Sequence, residues 1–277
     1  MSDDAALTEL RFLTRALRAH LEWQLETGAT GLELAPRAAS PALSPSQPST
    51  SQSSPSASRP SLSQPSDAIQ AALAPAESAR SLALAGDPRR RLEVLAEAIK
   101  SCTHCGLSAH RQHTVFARGT GSSGVCFVGE GPGEAEDAQG LPFVGKAGQL
   151  LDRMIEAMGF ARDEVYVCNV VKCRPPDNRK PEPAEMAACM PYLNEQLELI
   201  APRVIVALGA TALQGLFGTT EGIMRVRGKW RSLNGQIDVM PTFHPAYLLR
   251  TPAAKREVWE DLQEVLRRIG RSAPARR

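Results

Sequence analysis

The sequence predicts an α/β fold in which a mostly parallel sheet carries helices on both faces. From residue 125 onward, short apolar runs alternate with longer segments whose apolar residues recur at helical spacing. A glycine-rich loop follows the first apolar run, and open parallel α/β sheets bind ligands at the carboxyl ends of their strands. No run of about 18 apolar residues occurs, so neither a membrane span nor a membrane partner is expected.

The first 86 residues are predicted to lie outside the folded domain. Residues 1–34 contain a helical segment, because leucines recur at helical spacing between residues 10 and 21. Residues 35–86 are rich in Ser and Pro: between 40 and 66, 12 of 27 residues are Ser and 6 are Pro. This stretch cannot bury enough apolar surface to offset the entropy of ordering, so we interpret it as a disordered linker.

The folded domain is predicted to span residues 87–270. It begins at Asp87-Pro88, where a capping residue precedes proline at the first helical position. The helix that follows leads to Cys102, and a basic tail occupies residues 271–277. The hydrophobic pattern predicts strands at residues 125–128, 165–171, 204–208 and 237–242, and helices at residues 147–158, 182–200, 210–216 and 253–269.

The loop after the first strand contains glycines at alternating positions, Gly129, Gly131 and Gly133, stiffened by Pro132. Backbone without Cβ atoms can approach a ligand closely. The spacing differs from the dinucleotide fingerprint, whose third glycine comes one position later. The acidic run at residues 134–137 would also repel a pyrophosphate.

A second glycine-rich segment, residues 140–147, matches a P-loop except at its last position. Ala147 has no hydroxyl to hold magnesium, and the segment does not directly follow a strand. We therefore reject a nucleotide site. The pattern instead indicates a glycine-rich pocket floor with carboxylates at its rim and one aromatic residue, Phe143, that can stack on a flat ligand.

Six cysteines need an account other than disulfides, since the N-terminus lacks the features of a secretory signal and a cytoplasmic protein is expected. Cys102 and Cys105 form a C-x2-C pair, whereas Cys173 and Cys189 lie well downstream. Four thiolates suit zinc or an iron–sulfur cluster equally, and the downstream two also fit ordinary buried thiols. Cys126 and Cys168 lie inside predicted strands and are interpreted as core residues.

Two polar residues lie at or just after the ends of predicted strands, at the ligand-binding edge. Asn169 offers an acceptor and donors to the edge of a base, although it also fits a strand-end cap. His244 belongs to a His-Pro pair after the fourth strand. The basic segment at residues 224–231 suits phosphate binding or a solvated hairpin, and the net charge of +2 does not by itself indicate a nucleic-acid partner.

Taken together, these segments resemble the family 4 uracil-DNA glycosylases, the iron–sulfur branch of that superfamily. The resemblance covers roughly residues 92–266 and includes the order and spacing of the four cysteines. It is carried by residues 129–137, 140–145, 169–176 and 244–250.

The resemblance implies an α/β/α sandwich with a four-stranded parallel sheet. It implies an enzyme, expected to be a monomer, that flips uracil out of single- or double-stranded DNA and hydrolyses its N-glycosidic bond. The product would be an abasic site for base excision repair. It also implies a structural [4Fe–4S] cluster on four thiolates, those of Cys102, Cys105, Cys173 and Cys189.

The resemblance also implies roles for individual residues. A neutral His244 would donate to uracil O2 and stabilise the departing anion, while Asn169 would read N3–H and O4. Leu248 would insert into the vacated base stack. The uracil-binding set would be Glu130, Gly131, Pro132, Phe143, Asn169 and His244. Independently of the resemblance, the basic segments predict phosphate contacts by Arg225, Arg227, Lys229, Arg250 and Lys255.

Two positions depart from the better-known relatives. Gly131 stands where they have a water-activating Asp, and Gly133 where they have a Tyr that blocks thymine. Water activation is therefore left open between Glu130 and Glu136. Two other classes also remain open: an electron carrier whose pocket is incidental, and a uracil-DNA binder that does not turn over.

Overall fold

The computed structural model describes residues 87–274. The predicted N-terminal helical segment, the predicted linker and the last three residues of the basic tail lie outside the described residues. The described chain begins with helix α1 (Pro88–Ala98). Asp87 caps it by accepting a hydrogen bond from the backbone N–H of Arg89 at 3.1 Å, with Pro88 at the first helical position as the sequence predicts.

The sheet has six strands in the order β1-β3-β2-β4-β6-β5. The four predicted strands form its parallel centre, and short antiparallel strands pair with both edges. The expected four-stranded parallel sheet is thus not confirmed, because the sheet is mixed. The strands are β1 (Ala117–Arg118), β2 (Val125–Gly129), β3 (Tyr166–Asn169), β4 (Val204–Leu208), β5 (Arg231–Leu233) and β6 (Ile237–Thr242).

The helices agree with the predicted ones to within two residues at each end, with short additional helices in the loops. The last long helix begins later than predicted because its first turn, Pro252–Ala254, is a 3-10 helix. The helices after α1 are α2 (Glu134–Gln139), α3 (Lys146–Ala157), α4 (Pro183–Ile200), α5 (Ala210–Phe217), α6 (Ile223–Val226), α7 (Pro245–Arg250) and α8 (Lys255–Arg268). Other 3-10 turns are Ile99–Ser101, Gly106–Ala109 and Pro176–Asn178.

Two apolar cores cover opposite faces of the sheet. Alternate strand residues such as Phe127 pack with the buried sides of α3 and α8. Residues between them, such as Val128 and Ile205, pack with α4 and α5. Cys126 and Cys168 belong to this second core and are fully buried, as predicted. Within the described residues, no helix is long and apolar enough to span a membrane.

The parallel strands bring their carboxyl ends to one edge of the sheet. Gly129 at the end of β2 is level with Asn169 at the end of β3. Leu208 at the end of β4 is level with Thr242 at the end of β6. The loops that follow these strands contain most of the residues predicted to be functional, so the fold collects them at one place.

Candidate active site

The centre of the site lies over Gly129. A Cβ at this position would lie 2.4 Å from Asn169 Oδ1 and 2.5 Å from Phe143 Cζ. The ring of Phe143 in turn lies 5.7 Å from the ring of His244, centroid to centroid, at 31°. Three residues far apart in sequence therefore converge, and only glycine beneath them leaves room for the amide and the ring.

Asn169 has a buried acceptor without a partner. The residue is 1% exposed, and its Oδ1 makes no hydrogen bond. Within residues 87–274, it is the one buried side-chain oxygen or nitrogen atom in this condition. Buried polar atoms are almost always paired, and leaving one unpaired costs about 1–3 kcal/mol. The oxygen is therefore suited to a donor that a ligand brings.

Phe143 is held by an unusual backbone. Its φ is 56°, in the left-handed region that bulky side chains rarely adopt. Its carbonyl is pressed against Gly148 in α3, where a Cβ would lie 1.9 Å from the carbonyl oxygen. The fold thus maintains a strained conformation that turns a buried aromatic ring toward Asn169 and His244.

His244 is positioned as a neutral donor. It precedes α7 and its Nδ1 accepts the backbone N–H of Ala246 at 3.1 Å, which assigns the proton of the neutral ring to Nε2. Burial, and then the positive charge of Arg250, lower the pKa of His244 to about 4, while the Glu136 carboxylate acts in the opposite direction. The ring is therefore uncharged at neutral pH.

This lowered pKa predicts how activity and stability depend on pH. Any reaction that depends on the neutral ring should have an acid-side midpoint near pH 4 rather than at the ordinary value of 6.5. As the pH falls, the unfolded chain takes up the proton first. The His244 contribution to the free energy of unfolding is therefore lost between about pH 6.5 and about 4. Single-turnover rates across this range test the prediction, and a midpoint near 6.5 would contradict it.

Glu136 ties two loops together. Its Oε2 accepts from the N–H of Gly133 at 3.1 Å, and its Oε1 accepts from Val144 and Gly145 at 2.9 Å each. Both oxygens of the carboxylate therefore hold backbone that surrounds the pocket. Of the two carboxylates predicted to activate water, Glu136 therefore has both oxygens occupied by backbone N–H groups, whereas Glu130 does not.

Glu130 is oriented by a residue that the sequence interpretation missed. Thr211, in the first turn of α5, donates its hydroxyl to Glu130 Oε2 at 2.5 Å and is 4% exposed. Within the described residues, the Glu130 side chain makes this one hydrogen bond. The signal was present, because Gly209-Ala-Thr211 follows β4 at the same edge where Gly129 follows β2.

Gly131 and Gly133 lie close to neighbouring side chains. A Cβ at Gly131 would lie 2.7 Å from Val171 Cγ2. A Cβ at Gly133 would lie 2.8 Å from Glu136 Oε2. A larger residue at either position would require Val171 or the Glu136 carboxylate to shift, and that carboxylate is held by backbone N–H groups.

The four predicted metal-binding cysteines line one small cavity. Cys173 and Cys189 are buried, and Cys102 and Cys105 are half-buried. None of the four forms a disulfide, so four thiols from distant parts of the chain face one space. Among the described residues, no three His, Cys, Asp or Glu side chains are grouped to hold a single metal ion.

The surroundings of this cavity fit a thiolate-bound group. Arg111 Nη1 donates to Cys173 Sγ at 3.3 Å and to the carbonyl of Cys102 at 2.8 Å. Burial raises the pKa of Cys189 to about 11, so a bound metal would be needed to keep this thiol deprotonated. The donor set and its hydrogen-bonding support are both suited to an iron–sulfur cluster.

The predicted phosphate-binding residues divide into two groups. Arg225, Lys229 and Arg250 are exposed. Arg227 is instead committed to Asp261, with Nη2 to Oδ1 at 2.7 Å, and Lys255 is 7% exposed. The prediction for these last two is wrong, because intramolecular contacts take up Arg227 and burial removes Lys255 from DNA.

Leu248 is also not where the prediction requires it. Its side chain is 0% exposed and packs in the core that includes α3 and α8. It cannot insert into a base stack from this position, so the predicted wedge is wrong. The adjacent Leu249 is 44% exposed on the same short helix, α7.

The chain matches the family model described as the uracil DNA glycosylase superfamily over residues 116–263. It is 48% identical to a type-4 uracil-DNA glycosylase of Thermotoga maritima over 176 residues, 62% of this chain and 92% of the relative. It is 39% identical to a type-4 uracil-DNA glycosylase of Archaeoglobus fulgidus over 192 residues, 66% of this chain and 96% of the relative. The chain therefore belongs to the uracil DNA glycosylase superfamily, in its type-4 branch.

Proposed function

We propose that the chain is a DNA repair enzyme that removes uracil from DNA by hydrolysing its N-glycosidic bond, leaving an abasic site. The unpaired, buried Asn169 Oδ1 is the observation that carries this proposal. Uracil has a donor at N3, whereas cytosine has an acceptor there. The oxygen therefore accepts from uracil and would repel cytosine.

The target base must leave the duplex to reach a pocket at the edge of a sheet. Phe143 then stacks on the base, and Asn169 reads its N3–H with Oδ1 and its O4 with the amide nitrogen. The loop at residues 130–132 forms the floor. The domain that does this work is residues 87–270.

Breaking the N-glycosidic bond leaves negative charge on uracil O2. His244 meets this charge with Nε2–H, since its Nδ1 already accepts the N–H of Ala246. A neutral donor suits this role because it stabilises the anion without transferring a proton to it. Glu130 places the attacking water, because Glu136 uses both oxygens to hold backbone.

The cysteine cavity holds a [4Fe–4S] cluster ligated by Cys102, Cys105, Cys173 and Cys189. The cluster supplies cross-linking of distant chain segments, not chemistry on the base. Cys173 lies four residues after Asn169, so ligation fixes the segment that continues from the uracil-reading strand end. Its role is therefore structural support of the pocket.

Leu249 takes the place of Leu248 as the side chain that enters the vacated base stack. It is exposed, apolar and five residues after His244. Arg250, which follows it, acts electrostatically on His244 and is exposed, so it lies at the same face. Arg225 and Lys229 are the other proposed phosphate contacts. The location proposed for this DNA repair enzyme is the cytoplasm.

The test is incubation of the purified chain with an oligonucleotide that contains one uracil, followed by alkaline cleavage at abasic sites. Multiple turnovers without any redox partner support a glycosylase. A stoichiometric adduct would instead identify a binder that traps its substrate. Cleavage that required an added electron donor would identify redox chemistry.

The cluster proposal predicts a brown protein that contains iron and inorganic sulfide in equal amounts after anaerobic purification. Replacing Cys173 with serine should remove iron and lower the thermal midpoint, because metal-binding energy is also folding energy. Cys126→Ser is the control, since Cys126 is a buried core cysteine that does not line the cavity. Stoichiometric zinc without iron would contradict the proposal.

The DNA contacts predict a strong dependence of binding on salt. Replacing Arg225 and Lys229 with glutamine should lower the magnitude of the log K versus log[salt] slope by about 2. Arg267→Gln with Lys100→Gln removes the same charge from exposed residues that are ion-paired with Glu264 and Glu97. A slope altered equally by both pairs, or by neither, would place the DNA elsewhere.

A further inference from the structure

Lys172 is a buried lysine between the uracil-reading residue and the cysteine cavity. It is 2% exposed, three residues after Asn169 and directly before Cys173. Its Nζ donates to the backbone carbonyl of Asn169 at 2.7 Å and to Gln196 Oε1 at 2.5 Å. The ammonium thus holds the carboxyl end of β3 through the Asn169 carbonyl.

The acceptors of this ammonium belong to a buried polar network. Gln196 is 0% exposed and donates from Nε2 to the hydroxyl of Tyr166 at 3.0 Å and to the carbonyl of Phe116 at 3.2 Å. Tyr166 begins β3 and Asn169 ends it. The network therefore fixes both ends of the strand that presents the Asn169 amide.

The acceptors that Lys172 reaches are neutral. Among residues 87–274, no carboxylate forms an ion pair with it. A buried ammonium without an anion is costly, because hydrogen bonds to neutral acceptors replace only part of the lost hydration. A negative charge close to Lys172 would offset the cost of burying its ammonium.

The cysteine cavity is where that charge would be. Lys172 lines the cavity together with Cys102, Cys105, Cys173 and Cys189. Burial raises the pKa of the Cys189 thiol, while the positive charge of Lys172 and a hydrogen bond with its backbone act to lower that pKa. An iron–sulfur cluster with four thiolate ligands is an anion as a whole, so it can serve as the missing counter-charge.

We propose that Lys172 is the internal counter-ion of the thiolate-ligated cluster and, through the same ammonium, a positioning residue for the Asn169 amide. The inference rests on the proposed function. One cation then joins two sites: the cluster makes its burial favourable, and its hydrogen bond to the Asn169 carbonyl holds the end of the strand that reads uracil. Lys172 acts through Asn169 and does not itself touch the base.

The test compares Lys172→Met, Lys172→Arg and, as a matched control, Lys100→Met. Lys100 is an exposed lysine in the turn just before Cys102, so it tests the loss of any nearby positive charge. Three properties are measured on the holoprotein: the reduction potential of the cluster, the rate of iron loss to a chelator, and the affinity for free uracil.

Lys172→Met should shift the potential to more negative values, since removing a positive charge disfavours the reduced cluster, and it should speed iron loss. Affinity for free uracil should fall about tenfold, as expected for loss of a charge-assisted hydrogen bond. Lys172→Arg should restore the potential but not the full affinity, because its planar head cannot reproduce both contacts. Lys100→Met should match the wild type.

An unchanged potential in Lys172→Met would overturn the counter-ion role, and an unchanged uracil affinity would overturn the positioning role. If the Met variant does not fold, Lys172→Arg decides: a large negative shift of its potential would contradict the proposal. A wild-type protein without iron or without uracil excision would instead refute the proposed function. The two failures are therefore distinguishable.

Discussion

Replacing His244 with alanine should slow uracil excision about 10²–10³-fold in the chemical step, as loss of one oxyanion donor does elsewhere. In the proposed mechanism, the Nε2–H of His244 donates to charge that exists only as the glycosidic bond breaks. Binding of uracil-containing DNA should therefore change much less than the rate. Single-turnover excision and equilibrium binding, measured on the same preparation, separate the two quantities.

His110→Ala is the control for this variant, because His110 is an exposed histidine outside the pocket. It should keep the wild-type rate. If His244→Ala lost binding and rate in equal proportion, His244 would be a contact to the substrate in its ground state. The anion-stabilising role would then be wrong.

Replacing Asn169 with aspartate should nearly abolish uracil excision, by up to about 10⁴-fold, since sites built around hydrogen bonds reject partners that leave buried groups unpaired. A carboxylate cannot donate to uracil O4, and a position 1% exposed gives it little hydration. If the acid is protonated, weak excision of cytosine should appear. Rates on matched uracil and cytosine oligonucleotides measure both effects.

Asn194→Asp makes the same chemical change on the exposed surface of α4 and should leave both rates unaltered. Iron content and thermal midpoint must be followed in parallel. An Asn169→Asp protein that retains its cluster and still excises uracil at the wild-type rate would show that another residue reads the base.

The sequence predicted the parts of the site that sit directly at strand ends. Asn169 and His244 follow buried apolar runs, and in a parallel sheet such positions share an edge. The four cysteines were assigned through the resemblance, since residue type and spacing alone left Cys173 and Cys189 open as ordinary buried thiols. What links these residues is not visible in the pattern, because the contacts of Thr211 with Glu130 and of Lys172 with Asn169 depend on packing.

The wrong predictions share a physical cause. Leu248 and Leu249 are identical in type, and only the orientation of a six-residue helix decides which one is buried. Arg227 looks like its exposed neighbour Arg225 until α8 supplies Asp261 as a partner. Strands β1 and β5, of two and three residues, are too short to show an alternating pattern.

The carboxylate of Glu136 has a consequence for how the reaction ends. Because it holds the N–H groups of Gly133, Val144 and Gly145, the walls around the base are assembled before any nucleic acid arrives. Because these contacts do not involve the nucleic acid, we expect the pocket to keep its shape and its affinity for the liberated base after the glycosidic bond is cut. Free uracil should therefore compete with substrate, and product inhibition should accompany catalysis.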